Sequence, residues 1–372
     1  MGTEKETLQI EEIPGRGRSL VTVRAVRGGE IVLQDSPLLL YSALPLVSST
    51  PNQYCDNCFR VIGDSSTVVA CGVCSHACFC SNACLSSQSH SQWSCHAISK
   101  MRSFRPGLSQ ELQVQFRFLV AAYNLSQTSP EKFQILLSLR GDGIPSDDAR
   151  FLHFMIPHLE SNFPPSLDLT ASLLAKDKFN AFGLMEPFDE RNKGRRSVRA
   201  YGIYPKASLF NHDCLPNACR FDNVDSSESK NNTDIVVRMI HDVPEGREVC
   251  LSYFPVNLAF AERQRRLFED YGFKCDCDRC KVESNWSDND EYGSMTQEEI
   301  EEDEEMDDAE DSTSFIDSND CENDDFPHSY FFARFMCSRE HCWGTLAPLS
   351  PVAPQSLLAC NVCGNVTKDE VA

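Results

Sequence analysis

Nineteen cysteines stand in this 372-residue chain, and most of them come in closely spaced pairs. The stretches "CDNC", "CGVCSHACFCSNAC" and "HSQWSC" contain Cys55-x2-Cys58, Cys71-x2-Cys74, Cys80-x3-Cys84 and His90-x4-Cys95. Eight such ligands complete two tetrahedral zinc sites. The C-x3-C pair can share one helical turn, because positions four apart lie on one face. A segment of about 40 residues cannot bury an adequate core, so bound metal would supply its folding free energy. The alternative, free thiols in a core, fits such dense and regular pairing poorly.

Two further clusters follow. "YGFKCDCDRC" places Cys275, Cys277 and Cys280 in a C-x-C-x2-C run. Three thiolates leave a tetrahedral ion one ligand short, so a distant residue must complete it or the site stays open. Cys214 is the natural candidate. Cys337-x4-Cys342 and Cys360-x2-Cys363 form two knuckles separated by a short Gly- and Pro-containing segment, as in a zinc ribbon. Cys78 is spare, and Cys219, Cys250 and Cys321 have no obvious partners.

Thiols used this way belong to a reducing compartment. The first twenty residues are polar and mixed in charge, without the apolar stretch of a secretory signal. Gly2 could accept myristate, but Glu6 stands where that motif has Ser or Thr. No run of 18 apolar residues reads as a membrane span. The expectation is a protein of the nucleus or cytoplasm, or both.

The net charge of −21 is misleading, because residues 283–325 contain 20 Asp and Glu and no Lys or Arg, leaving about −1 for the rest. That block cannot bury enough apolar surface to fold alone and reads as a solvated, disordered linker. A sharper reading makes it an electrostatic lure for basic peptides such as histone tails. Nucleic-acid binding by the finger is disfavoured, since Arg60 is its one Lys or Arg between positions 55 and 95.

Between positions 100 and 180 the chain reads as helices. Leu112, Phe116, Leu119 and Tyr123 recur at helical spacing and mark a core face. "SPEKFQILLSLRG" has a start signal at Ser129–Pro130 and a stop at Gly141.

At the centre lies "SLFNHDCLPNA", a polar cluster straight after an apolar pair. Buried polar groups need partners, so this stretch either holds something or is held. "NHDCLPN" followed by "VPEGREVCLSYF" resembles the core of a SET-domain lysine methyltransferase, and "GRGRSLVTVRAVRGGEIV" resembles its opening strands. The CxCxxC run resembles a post-SET segment, and the first cysteine series resembles a MYND finger. A SET domain split by a MYND finger marks the SET-and-MYND family, whose plant members this chain resembles most. Animal members often end in a helical-repeat domain, and nothing after residue 281 resembles one.

The resemblance implies an α+β fold. It has an N-terminal SET segment at 10–54, a MYND finger at 55–95, a helical SET-I insert at 100–180 and a core SET segment at 181–254. A post-SET segment at 255–281, the acidic linker at 283–325 and a zinc-binding module at 330–366 follow. A pseudoknot would carry the "NHDCLPN" stretch. In the finger the resemblance implies interleaved ligation, with Cys55, Cys58, Cys80 and Cys84 on one ion and Cys71, Cys74, His90 and Cys95 on the other. MYND fingers usually end H-x3-C with a Trp three residues before the His. Trp93 and His96 fit that spacing, but Lys100 stands where the Cys belongs, so His96 remains a rival to His90. About four zinc ions are expected in all.

The same resemblance implies S-adenosylmethionine as cofactor, bound by Gly17, Arg18, Ser19, Asn180, Tyr204, Asn211, His212, Tyr253 and Phe273. Tyr253 would be the catalytic residue, and Tyr253 with Tyr271 would line the lysine channel. Pro216 would stiffen the turn, and Asn217 would cap its own backbone. Any one of these aromatics could instead simply fill a core. The implied activity is protein-lysine N-methyl transfer, with histone tails or another protein as substrate and chromatin regulation as its setting. A second reading is a scaffold with weak catalysis whose finger binds proline-containing peptides.

Overall fold

The computed structural model describes residues 7–46, 53–62, 68–74, 76–103, 108–159, 161–192, 196–225, 231–285, 328–352 and 357–369. The acidic block from 286 to 325, with Cys321, lies outside the described residues. Among the described residues no helix is long and apolar enough to cross a membrane.

The α+β class is the one observed: the sheets are short, of two or three strands, and the helices between residues 92 and 180 share one core with strand Leu39–Ser42. Leu8–Ile13 and Gly17–Thr22 form an antiparallel pair. Leu39–Ser42, Val198–Ile203 and Ala181–Met185 form a three-stranded sheet with Val198–Ile203 in the middle. A second antiparallel sheet orders Ala218–Asp222, Ile235–Met239 and Ile31–Asp35, so the N-terminal segment pairs with strands some 200 positions later. Asn211–His212 lies parallel to Cys250–Leu251, where the pseudoknot was expected.

The helical insert follows its local signals. Ser109, Ser146 and Ser166 each accept a hydrogen bond from a backbone N–H in the first turn of the helices Gln110–Thr128, Asp147–Met155 and Leu167–Asn180. Helix Pro130–Ser138 begins at the predicted Pro130, where the missing N–H costs nothing. Phe116, Leu119 and Tyr123 are fully buried, so the periodic stripe is a core face. It packs on Leu39 and Tyr41 of the sheet.

The finger is not a separate bead. Helix Gln92–Ser103 carries Cys95 and runs on past residue 100, so finger and insert share one continuous helix. At the other end Phe59, with φ of 56°, plugs into the cluster of Leu20, Leu184 and Ala200. Buried Arg199 spans the seam, donating to the Phe59 carbonyl at 3.1 Å and pairing with Asp225 at 2.7 Å.

The C-terminal cysteine module also docks on the body. Helix Ser329–Phe335 places Phe331 and Phe335 against Cys219, Ile240 and Val256. Gly29, with φ of 83°, lets the turn before strand Ile31–Asp35 meet the module. A Cβ there would stand 2.8 Å from the Ser350 backbone and 2.9 Å from the Pro348 carbonyl.

Candidate active site and metal centres

The hairpin Leu8–Ile13/Gly17–Thr22 turns through Gly15 and Gly17, both at positive φ (79° and 74°). The space above this turn is open: a Cβ on Gly17 would meet only Glu12, at 4.0 Å. Asn211 comes down on the turn. Its amide donates to the Ser19 hydroxyl and the Glu248 carboxylate, both at 2.8 Å, with the Arg16 and Arg18 carbonyls at 3.3 and 3.4 Å. Glu248 also pairs with Arg16 at 2.7 Å, and Arg16 donates to the His212 carbonyl at 3.1 Å. Gly17, Arg18, Ser19 and Asn211 are thus brought together. Arg18 enters through its carbonyl, while Gly17 keeps its backbone approachable.

Tyr253 follows two residues after strand Cys250–Leu251. Its hydroxyl donates to the Phe210 carbonyl at 2.9 Å, and its ring lies 4.7 Å from that of Tyr271 at 45°. Burial pushes the Tyr253 phenol above its ordinary range, with Tyr271 adding to the effect, so the hydroxyl stays protonated. Tyr271 and Phe273 flank Gly272, which ends helix Phe260–Tyr271 in the left-handed conformation (φ 75°). All three aromatics are half-buried and share a cluster with the cysteines behind them. An open glycine turn, an amide above it and half-buried aromatic walls fit a cofactor with a polar end and a flat ring.

Three expectations need correction, those for Tyr204, Asn180 and Asn217. His212 keeps its backbone at the turn, where its carbonyl accepts from Arg16, while its ring turns away. It is buried, with Nδ1 accepting from the Tyr253 N–H at 3.1 Å and Nε2 lying 3.2 Å from Cys214 Sγ. Burial pushes that imidazole down to about 3, so it is neutral. Tyr204 is fully buried and gives its hydroxyl to the Thr233 carbonyl at 2.6 Å; it fills the core. Asn180 spends its amide on the Arg140 and Lys176 carbonyls, both at 2.7 Å, and closes the end of its own helix. Asn217 does not cap its own turn. It reaches across to the Glu248 carbonyl and the Cys250 N–H, each at 2.8 Å. The local cap belongs to Asp213, which accepts from the Leu215 N–H at 2.9 Å.

The cysteines close into four groups, each with its ligand atoms within 4.8 Å of one another: Cys55, Cys58, Cys80 and Cys84; Cys71, Cys74, His90 and Cys95; Cys214, Cys275, Cys277 and Cys280; and Cys337, Cys342, Cys360 and Cys363. The first two groups are the interleaved pairs, and His90 is the histidine in the set. His96 is exposed on the outside of helix Gln92–Ser103. A tetrahedral ion with zinc–sulfur bonds of about 2.3 Å spaces its sulfurs by about 3.8 Å. Observed separations are 3.5 Å (Cys80–Cys84), 4.0 Å (Cys71–Cys95), 3.9 Å (Cys214–Cys275) and 3.8 Å (Cys337–Cys363). Each described cysteine is free, and the donor sets fit zinc. In the Cys55–Cys58 and Cys342–Cys360 pairs the hydrogen bond between the thiols holds one low (Cys55, Cys360) and the other high (Cys58, Cys342).

Sequence reasoning missed the support beneath the third group. Arg263, fully buried, donates to Cys214 Sγ at 3.3 Å and to the Leu258 carbonyl at 2.6 Å, and pairs with Glu283. Arg279, also buried, pairs with Glu283 at 2.6 Å and donates to the Val256 carbonyl at 2.6 Å. The i,i+4 spacing of Arg279 and Glu283 was a usable signal. Nothing local marked Arg263.

Comparison with known proteins agrees with this geometry. The SET domain family matches residues 17–254. The histone-lysine N-methyltransferase ASHR2 of Arabidopsis thaliana is 53% identical over 394 residues, covering 100% of this chain and 98% of that protein. SMYD3 of Mus musculus, also a histone-lysine N-methyltransferase, is 26% identical over 300 residues, covering 76% of this chain and 64% of its own length. ASHR1 of Arabidopsis thaliana is 25% identical over 291 residues, covering 73% and 55%. The chain therefore spans less than two thirds of the latter two.

Proposed function

This chain belongs to the SET-domain family, and on that premise we propose that it is an S-adenosylmethionine-dependent protein-lysine N-methyltransferase acting on a histone or another protein. The observation that carries the reading is the meeting of the Ser19–Asn211 turn with the Tyr253–Tyr271 pair beside the Cys214 cluster.

When bound, the cofactor supplies a methyl group activated by a positively charged sulfur. The chain's own task is positioning and desolvation. Gly17, Ser19 and Asn211 offer a polar cradle, and Phe273 a flat apolar surface. Tyr253 gives its hydroxyl proton to the Phe210 carbonyl, which leaves the oxygen lone pairs free to accept from a substrate N–H. A free lysine has a pKa of about 10.4, and the half-buried walls of Tyr253 and Tyr271 disfavour its charged form. A protonated Tyr253 orients the amine without acting as its base.

The first two cysteine groups are read as a MYND finger that takes proline-containing peptides, and all four groups as zinc sites. Histones are the substrate class proposed first, since ASHR2 and SMYD3 are histone-lysine N-methyltransferases, and residence in the nucleus is proposed with it. The test is to incubate the purified chain with labelled S-adenosylmethionine and a panel of histones and whole lysate. Label on protein lysine, absent when Tyr253 is changed to Phe, is expected. No label on any protein overturns the reading.

A further inference from the structure

Building on that reading, we propose that the His212 side chain is a positioning residue that ties the Cys214 metal cluster to the backbone of Tyr253. His212 is 2% exposed, and its ring is wedged 5.2 Å from Tyr253 and 4.8 Å from Phe254. Strand Cys250–Leu251 ends two residues before Tyr253, so the Tyr253 N–H lies beyond the ladder. It donates to His212 Nδ1 at 3.1 Å. An imidazole whose Nδ1 accepts an N–H has no proton there and carries it on Nε2. That proton points at Cys214 Sγ, 3.2 Å away. Cys214 Sγ also receives the Arg263 Nε–H at 3.3 Å, so one sulfur accepts two N–H donors.

The rigid ring therefore sets the spacing between the cluster and the residue that aligns the lysine. Sequence places Cys214 two positions after His212 and Tyr253 forty-one after it. The metal group would then act on catalysis by fixing where the Tyr253 backbone stands, besides holding the post-SET segment.

Two variants separate the two hydrogen bonds in the full-length, metal-loaded protein. In His212→Asn the side-chain oxygen takes the place of Nδ1, and in His212→Gln the amide nitrogen takes the place of Nε2. Loss of such an outer-shell contact typically costs roughly 10- to 100-fold. The expected pattern is crossed. The kcat for methyl transfer falls roughly 10-fold further in the Gln variant, and metal release to a chelator speeds up roughly 10-fold more in the Asn variant. Equal losses of both properties in both variants, or no loss in either, overturn the proposal. Nitrogen-15 histidine NMR of the unmodified protein gives an independent answer. An imidazole that carries its proton on Nε2 is expected; a proton on Nδ1 overturns the proposal. His90 is distinguishable, because its Nε2 faces Cys74 Sγ at 3.7 Å and its proton belongs on Nδ1. If the protein methylates nothing, the enzymatic reading fails, while the tautomer and metal-release measurements still judge the His212 link.

Discussion

The Asn211 amide donates to the Ser19 hydroxyl at 2.8 Å across 192 positions of sequence. The same amide reaches Glu248, which holds Arg16, so three distant segments are fastened at one point. The opening hairpin, the "NHDCLPN" stretch and the segment leading to Tyr253 are therefore tied together by side-chain contacts at this point.

Tyr253→Phe removes one oxygen and leaves the ring against Tyr271. Methyl transfer should fall roughly 100-fold or more, the scale of losing one oriented polar group at a reacting centre. The melting temperature should move by only a few degrees, the scale of about 1 kcal/mol. Single-turnover rates and a thermal melt check both. Undiminished transfer would remove the hydroxyl from the mechanism.

Native mass spectrometry should find four zinc ions, one for each cysteine group. Cys214→Ser should lose one ion and most activity. Cys78→Ser should keep all four, because among the described residues Cys78 belongs to none of the ligand groups and its Sγ donates to the His76 carbonyl, at 3.8 Å. A lost ion in the Cys78 variant would show that the finger's ligands were misassigned.

Arg263→Ala strips the third cluster of a donor and leaves Glu283 with Arg279 alone. Breaking a buried ionic group in this way costs about 3–5 kcal/mol. Replacing the exposed Arg265, paired with Glu262 and Glu269, by Ala should move stability far less. Urea denaturation midpoints of the two variants make the comparison.

Phe335→Ala, in the C-terminal module, should destabilise the catalytic body as well as the module. The ring is 5% exposed and packs with Ile240 and Val256 of the SET segments. A loss of about 3 kcal/mol is expected. Hydrogen exchange should quicken in strand Ala218–Asp222. Quickening confined to residues 329–368 would mean that the module is merely attached.

Burial raises the Asp177 carboxyl to about 7, with the Tyr41 hydroxyl donating to it. A carboxyl raised above its unfolded value binds more protons folded than unfolded between about pH 4 and 7. Its contribution to stability is therefore complete below about pH 4 and is lost as pH rises through 7. Thermal melts across that window should show a decline that Asp177→Asn flattens.

The cysteine pairs were legible because ligands on one ion must be close, and short spacings such as Cys55-x2-Cys58 advertise that closeness. The helices were legible because Leu112, Phe116, Leu119 and Tyr123 recur on one face and Pro130 acts within one turn. Cys214 was reachable by counting, since three thiolates left a fourth place. Other assignments failed where a residue's partner lay far along the chain. Asn217 read as a cap for its own turn, yet it bonds to residues 248 and 250, and Asp213 supplies the cap.

By itself, the sequence determined the metal-ligand groups, the helical insert and the family of the site, because each is written in spacing or in a short motif. Tertiary structure alone decided that His212 faces a cysteine sulfur and a backbone N–H, that Tyr204 is core, and that Arg263 lies under the third cluster. Those choices depend on which strands meet across 40 to 200 residues, and a side chain's neighbours there are set by the packing of the whole body.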